Sequence, residues 1–169
     1  MQFTSTLSKF DSLLWGFHIT VPDEVARPFL SKNKKRVVCT INGTETFQCA
    51  LMPQKNGPHF INLNKKLRDK LRLRIGMEVR AKLKEDRSKY GLPMPDEMEE
   101  LLQQDPEGDQ IFHALTPGKQ RSLLYIAGKP KRSETRLKKA IVLIEHLKVN
   151  QGKIDFKRLN EDMKEANRI

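Results

Sequence analysis

The 169-residue chain has room for one domain, or for a small domain with an appendage, and 37% of its residues are apolar. Its 32 Lys and Arg against 21 Asp and Glu give a formal net charge of +11, which permits binding to nucleic acid, an anionic membrane or an acidic protein. No apolar run reaches membrane-spanning length, and the start MQFTSTLSKF lacks the features of a secretory signal. We therefore expect a cytoplasmic protein without a transmembrane segment.

The first predicted elements form two similar halves. Residues 19–41 and 61–83 align their apolar positions at a constant offset of 42 without a gap. Spacings of two at the ends and of four in the middle predict strand, helix and strand in each half. Two such halves would close around a shared core as a pseudo-symmetric β-barrel, with the strand QFTSTL and a hairpin across Asn42-Gly43 at its edges. Alternatively, the two segments are not a duplication, because any two strand–helix–strand units share such spacing and few of the aligned residues are identical.

The two cysteines lie in adjacent predicted strands, VVCTI and FQCAL. Strand alternation points both Cys39 and Cys49 into the core as small hydrophobic residues. A disulfide requires the intervening loop to place them opposite one another, and free thiols are favoured in a cytoplasmic chain. Without further ligands nearby, the pair does not predict a zinc site.

Helix start signals dominate the second half of the chain. The stretch YGLPMPDE breaks both earlier patterns, and Asp105-Pro106 and Thr116-Pro117 each place a capping residue before a proline. Ser133 is the predicted N-cap of a long helix that ends near residues 146–150, and another helix is expected around residues 156–166. The long helix has a predicted apolar stripe: Leu137, Ala140, Ile141, Ile144 and Leu147. We predict a barrel domain at 1–89, a linker at 90–95, a helical region at 96–150 and a tail at 151–169.

A basic segment at the start of the long helix is the strongest candidate site. GKPKRSETRLKKA, residues 128–140, carries six cations and one carboxylate. Cations near a helix N-terminus are slightly unfavourable for stability unless an anion binds to them. The alternative is a solvated helix start, neutralised by the seven acidic residues within 96–109. The candidate anion- or partner-binding residues are Lys129, Lys131, Arg132, Thr135, Arg136, Lys138 and Lys139.

Three family resemblances add to this interpretation. VPDEV at residues 21–25 and GMEV at 76–79 resemble the half-unit of the swapped-hairpin, double-split barrel of AbrB-like transcription factors, which bind DNA. PKRSETRLKKAIVLIEHL resembles the basic helix of the YdeI/OmpD-associated, or bacteriocin-protection, family, and residues 3–87 resemble the N-terminal domain of unknown function often fused to it. Together they imply an α+β fold: a small pseudo-symmetric double-split β-barrel followed by a C-terminal helical appendage.

The sequence favours a non-catalytic binding or protection protein of the bacteriocin-protection type, which presents a basic surface to an anionic ligand or acidic protein. Nucleic-acid binding by an AbrB-like regulatory protein is the alternative. Binding to single strands would favour exposed aromatic residues among the cations. The few aromatic residues considered for this role are mostly explained as core residues: Trp15, Phe17, Tyr90 and Tyr125.

An enzyme is the least favoured function. His18 and His59 precede the matched strands and could meet across the pseudo-two-fold axis, but no metal-ligand spacing, nucleophile motif or phosphate loop accompanies them. His113 and His146 are expected to be structural. We expect no catalytic residues, no cofactor and no bound metal, and the sequence leaves the oligomeric state open.

Overall fold

The computed structural model describes residues 1–11 and 16–168. The chain divides into two compact units, Met1–Arg87 and Ser88–Ile169. Trp15, which the sequence assigns to the core, lies outside the described residues.

The first unit combines strands with two short helices. Its elements are β1 (Gln2–Thr6), β2 (Ser8–Lys9), β3 (Phe17–Thr20), α1 (Asp23–Leu30), β4 (Arg36–Ile41), β5 (Glu45–Ala50), β6 (Met52–Gln54), β7 (Gly57–Asn62), α2 (Lys65–Lys70) and β8 (Glu78–Glu85). The strands form two antiparallel four-stranded sheets, the first in the order β1-β8-β4-β5 and the second in the order β2-β3-β7-β6. The α+β class is confirmed, whereas closure into a double-split barrel stays a prediction.

The two aligned halves pair with one another in both sheets. Between β3 and β7, Ile19 lies directly opposite its counterpart Ile61. Between β4 and β8, Thr40 lies directly opposite its counterpart Lys82. An antiparallel ladder that is centred on equivalent residues has a local two-fold axis at that point. The predicted duplication is therefore present as pairing between the halves.

Backbone hydrogen bonds next to these ladders repeat in the same way. The Val21 N–H donates to the His59 carbonyl at 2.8 Å, and the equivalent Leu63 N–H donates to the Phe17 carbonyl at 2.9 Å. Each half therefore donates an equivalent backbone hydrogen bond to a strand of the other half.

Both sheets contribute apolar side chains to one core. Alternate residues of the strands point into it, as the period of two requires. The fully buried members include Ile19, Val21, Val37, Cys39, Ile41, Ile61, Leu63, Val79 and Leu83. The aligned positions of the strands are therefore buried in both halves, whereas Phe29, Leu67 and Leu71 at the aligned helical positions are partly buried against this core.

The hairpin between β4 and β5 settles the state of the cysteines. Cys39 lies opposite Phe47, and Cys49 lies opposite Val37, so the two thiols are diagonal neighbours and not a directly opposed pair. Both cysteines are free, and Cys39 is fully buried while Cys49 is partly exposed. The interaction with Cys49 and burial raise the pKa of the Cys39 thiol, which keeps it protonated.

The second unit is helical throughout its described elements. These are α3 (Asp96–Gln104), α4 (Pro106–His113), α5 (Pro117–Gly128), α6 (Ser133–Val149) and α7 (Phe156–Ala166). They pack around a separate core that includes Met98, Phe112, Leu124, Leu143 and Leu159. No described helix is both long and apolar enough to cross a membrane.

Most helix starts follow the predicted caps. Asp105 Oδ1 accepts from the Gly108 N–H at 2.9 Å, and Thr116 Oγ1 accepts from the Lys119 N–H at 3.4 Å. The Ser133 prediction is wrong by one residue: Arg132 occupies the N-cap position and makes no side-chain cap.

The apolar stripe of α6 is shifted from the predicted one. Ala140, Ile144 and Leu147 are buried as expected, and Leu143 joins them. Leu137 and Ile141 are instead 41% and 43% exposed. Successive helix residues lie about 100° apart, so a buried face that includes Leu143 turns Ile141 toward solvent.

Candidate functional site

The predicted basic residues all lie where α5 meets α6. Lys129 caps the C-terminus of α5, Lys131 and Arg132 lie in the short turn that follows, and the others occupy the first two turns of α6. This region, which we call the α5–α6 junction, comprises residues 129–139.

The guanidinium of Arg136 is engaged inside the helical unit. Its Nε and Nη2 donate to the two carboxylate oxygens of Glu97 at 3.0 and 2.7 Å, which is a bidentate ion pair. Its Nη1 donates to the carbonyls of Lys131 at 2.7 Å and Pro130 at 3.2 Å. Arg136 therefore holds the turn before α6 against α3, and it differs in this respect from the other predicted cations.

Glu97 is an anion of the same unit that partly neutralises the basic start of α6. Besides Arg136, it accepts a hydrogen bond from Ser133 Oγ at 2.5 Å. A carboxylate at this end of α6 also interacts favourably with the helix dipole. The hydrogen bonds from Arg136 and then Ser133 lower the pKa of Glu97 to about 2. A second carboxylate of the acidic segment, Asp105, pairs with Lys148 at 2.5 Å, so residues 96–109 neutralise part of the basic charge of α6.

Replacing Glu97 by Gln is expected to destabilise the helical unit at neutral pH and to flatten its response to acid. The pKa of Glu97 lies below its ordinary value of 4.5, so the stabilisation is present above that value and is lost as the pH falls toward about 2. Thermal unfolding by circular dichroism between neutral and acidic pH measures this. The control is Glu99→Gln, an exposed residue of the same helix. Identical pH profiles for the two variants would contradict the role of Glu97.

The other cations of the α5–α6 junction remain outward-facing. Lys138 pairs with Glu134 at 3.6 Å. Across the described residues, no carboxylate forms an ion pair with Lys129, Lys131, Arg132 or Lys139, and the first three of these are exposed. Thr135 is partly buried among them. Their assignment as a binding surface stays a prediction.

A cavity of about 410 Å³ opens beside the junction. Its apolar wall comes from the 92–95 segment and Leu124. Its polar rim carries charges of both signs: Lys129, Arg136, Asp96 and Glu97. The ammonium of Lys129 lies 6.0 Å from the ring centre of Tyr125, and Tyr125 is 61% exposed. The expectation that Tyr125 belongs to the core is therefore wrong. Tyr125 and Lys129 are four positions apart, and residues at this spacing on a helix are neighbours, so the sequence alone could have identified this pair.

The two histidines considered for catalysis do not meet. His18 is buried and stacks on Phe10 with a ring separation of 3.6 Å, and burial lowers its pKa. It lies opposite Asn62 in the β3–β7 ladder, so His59 is three positions further along β7 and its side chain points to the other face of the sheet. In the described chain, no group of three or more His, Cys, Asp or Glu side chains is placed to hold a metal.

These features define an α+β chain with a β-rich unit, a helical unit and an outward-facing cationic junction in the latter. Residues 3–83 match the model of a domain of unknown function, DUF1905, and residues 92–150 match the family described as Bacteriocin-protection, YdeI or OmpD-Associated. The two matches follow one another along the chain in the order that the sequence motifs predict. Neither a curated protein nor a solved structure matches it.

Proposed function

We propose that this protein is a non-catalytic binding protein of the bacteriocin-protection type, which recognises an acidic partner protein through the α5–α6 junction. The observation that carries the proposal is the position of the outward-facing cations. They lie within residues 92–150, the segment that matches the bacteriocin-protection family. Among the described residues, Lys129, Lys131 and Arg132 have no internal carboxylate partner.

The chemistry of the junction suits an acidic polypeptide with an apolar anchor. Exposed cations of one sign raise the association rate of an oppositely charged partner and help to fix its orientation. The neighbouring cavity has an apolar wall and an exposed tyrosine, Tyr125, and buried apolar or aromatic anchors contribute most of the binding energy at protein interfaces. The partner would thus place a carboxylate near Lys129 and an apolar side chain in the cavity.

For the first unit, we propose the double-split barrel as the arrangement of its two sheets. In support, β1 contacts β3 and β5 contacts β7, so strands of the two sheets approach each other on both sides of the core. The paired halves around Ile19 and Ile61 have the symmetry that such a barrel requires. In this arrangement the first unit would be a rigid base with no part in binding the acidic partner.

Charge reversal at the junction is expected to remove protection. In a bacteriocin-sensitive host that expresses the full chain, the triple variant K129E/K131E/R132E should protect far less well than the unmodified protein. A tenfold loss of partner affinity corresponds to about 1.4 kcal/mol. Survival after bacteriocin challenge is the readout, and circular dichroism checks that the variant folds, because exposed charges contribute little to stability.

The matched control is K164E, which reverses an exposed charge on α7 of the same unit. Full protection by K164E and loss in the triple variant support the proposal. If the unmodified chain gives no protection, or if the folded triple variant protects equally well, the proposal is wrong.

A further inference from the structure

The excess positive charge of the chain is concentrated in the first unit. Met1–Arg87 carries 17 Lys and Arg against 8 Asp and Glu, a net charge of +9, whereas Ser88–Ile169 carries 15 against 13, a net charge of +2. The bacteriocin-protection match lies in the nearly neutral second unit. The protection proposed for the second unit therefore does not explain the positive charge of the first unit.

A row of three cations runs along the outer face of β8. Val79, Ala81 and Leu83 of this strand are buried, and the alternate residues Arg80, Lys82 and Lys84 are exposed on the opposite face. Residues two apart in a strand are about 7 Å apart. The three charges are therefore evenly spaced along a strand that lies between β1 and β4 in the first sheet.

The flanking strands surround this row with uncharged side chains, which are polar except for Val38 opposite Lys84. Thr4 lies opposite Arg80, and Gln2 and Thr40 lie opposite Lys82 on either side. Thr40 Oγ1 is hydrogen-bonded to Thr46 Oγ1 at 2.9 Å. These side chains place hydroxyl and amide groups on the same face of the sheet as the cations.

The β4–β5 turn makes one end of this face concave. Asn42 Oδ1 accepts from the Arg80 N–H at 3.0 Å. A cavity of about 230 Å³ lies between the turn and the side of β8 at Arg80 and Lys82. The face of the first sheet around Arg80, Lys82 and Lys84, together with this cavity, is called the β8 face below.

The cations of the β8 face have no carboxylate partner among the described residues, although other Lys residues of the same unit do. Lys70, for example, pairs with Glu45 at 2.8 Å. The two carboxylates that share the face, Glu78 and Asp86, lie at its opposite ends, and Asp86 accepts from Gln48 Nε2 at 3.1 Å. The centre of the β8 face is thus a positively charged surface.

We propose that the β8 face binds the phosphodiester backbone of nucleic acid, independently of sequence. Evenly spaced Lys and Arg with neighbouring Thr, Gln and Asn side chains are the groups that contact phosphates in nucleic-acid complexes. The side chains around Lys82 include none of the aromatic or large apolar anchors that a protein interface or a membrane surface requires. The same lack of aromatic residues favours the backbone over stacked bases. This binding is additional to the protection proposed for the helical unit.

Fluorescence anisotropy on the full chain tests this, with labelled random-sequence single-stranded DNA, duplex DNA and RNA over a range of salt concentrations. Binding to at least one of them is expected, and the three probes identify which backbone is preferred. In the triple variant R80Q/K82Q/K84Q, the plot of log affinity against log salt concentration should become shallower by about 3. The single variant K82Q should change this slope by about 1, which keeps the test valid if the triple variant fails to fold.

The matched control is K32Q/K55Q/K66Q, which removes three exposed charges elsewhere in the first unit. Affinity should fall much less in this variant than in R80Q/K82Q/K84Q. Equal losses would show that the overall charge and not the β8 face attracts the nucleic acid, and they would overturn the proposal. Binding to anionic lipid vesicles without binding to any of the nucleic acids would overturn it as well. Bacteriocin survival with these variants reports separately on the helical unit.

Discussion

The substitutions Ile19→Ala and Ile61→Ala are expected to destabilise the first unit by similar amounts, about 2–5 kcal/mol each. Both side chains are completely buried in the shared core, and they lie directly opposite one another. Each substitution removes the same number of buried carbon atoms from equivalent surroundings. The cost should therefore depend little on which half carries the change.

Hydrogen exchange of the amides in β3 and β7 measures this effect in the intact chain, because exchange through global opening reports the free energy of unfolding of the unit. Gln54→Ala, at an exposed position of β6, is the control and should change the free energy by less than about 0.5 kcal/mol. A large loss in one Ile variant and a negligible loss in the other would show that the halves are not equivalent.

The substitution Gly108→Ala is expected to destabilise the helical unit by about 1–3 kcal/mol through overpacking. A Cβ at this position would lie 2.5 Å from Ile144 Cγ2 and 2.8 Å from Asp105 Oδ2. The first contact is with a buried side chain of α6, and the second is with the carboxylate that caps α4. Neither neighbour can move without disturbing the packing of α4 on α6.

The control is Gly118→Ala, where the nearest atom to the new Cβ is Arg121 Nη2 at 3.9 Å. Since alanine favours a helix over glycine by about 1 kcal/mol or less, this variant should be neutral or slightly more stable. Thermal unfolding of the two variants by circular dichroism distinguishes them. A Gly108→Ala protein as stable as the unmodified chain would contradict the close contact between α4 and α6.

Local signals in the sequence were sufficient to place most elements. Asp105 and Thr116 were identifiable as caps because a capping residue acts on backbone groups only three positions away. The helix expected around residues 156–166 is α7, Phe156–Ala166. The offset of 42 also predicted that the two halves share one core, and buried apolar residues of both halves lie in the same core.

Contacts between distant residues account for what the sequence did not reveal. Ser133 had the residue type of an N-cap, but its hydroxyl donates to Glu97, which is 36 positions away in the chain. The sequence groups Arg136 with the exposed cations, because no residue near it in the chain identifies Glu97 as its partner. The sequence offers the acidic segment as a neutralising block, but only the tertiary packing of α3 on α6 selects Glu97 from its seven carboxylates.

The most direct test of the α5–α6 junction is a comparison of survival under bacteriocin challenge between two folded variants of the full chain. One is K129E/K131E/R132E at the junction, and the other is R80Q/K82Q/K84Q on the β8 face. Protection should be lost in the first variant and kept in the second, since only the junction is proposed to bind the acidic partner. Protection retained by the junction variant, or lost equally in both, would contradict this assignment.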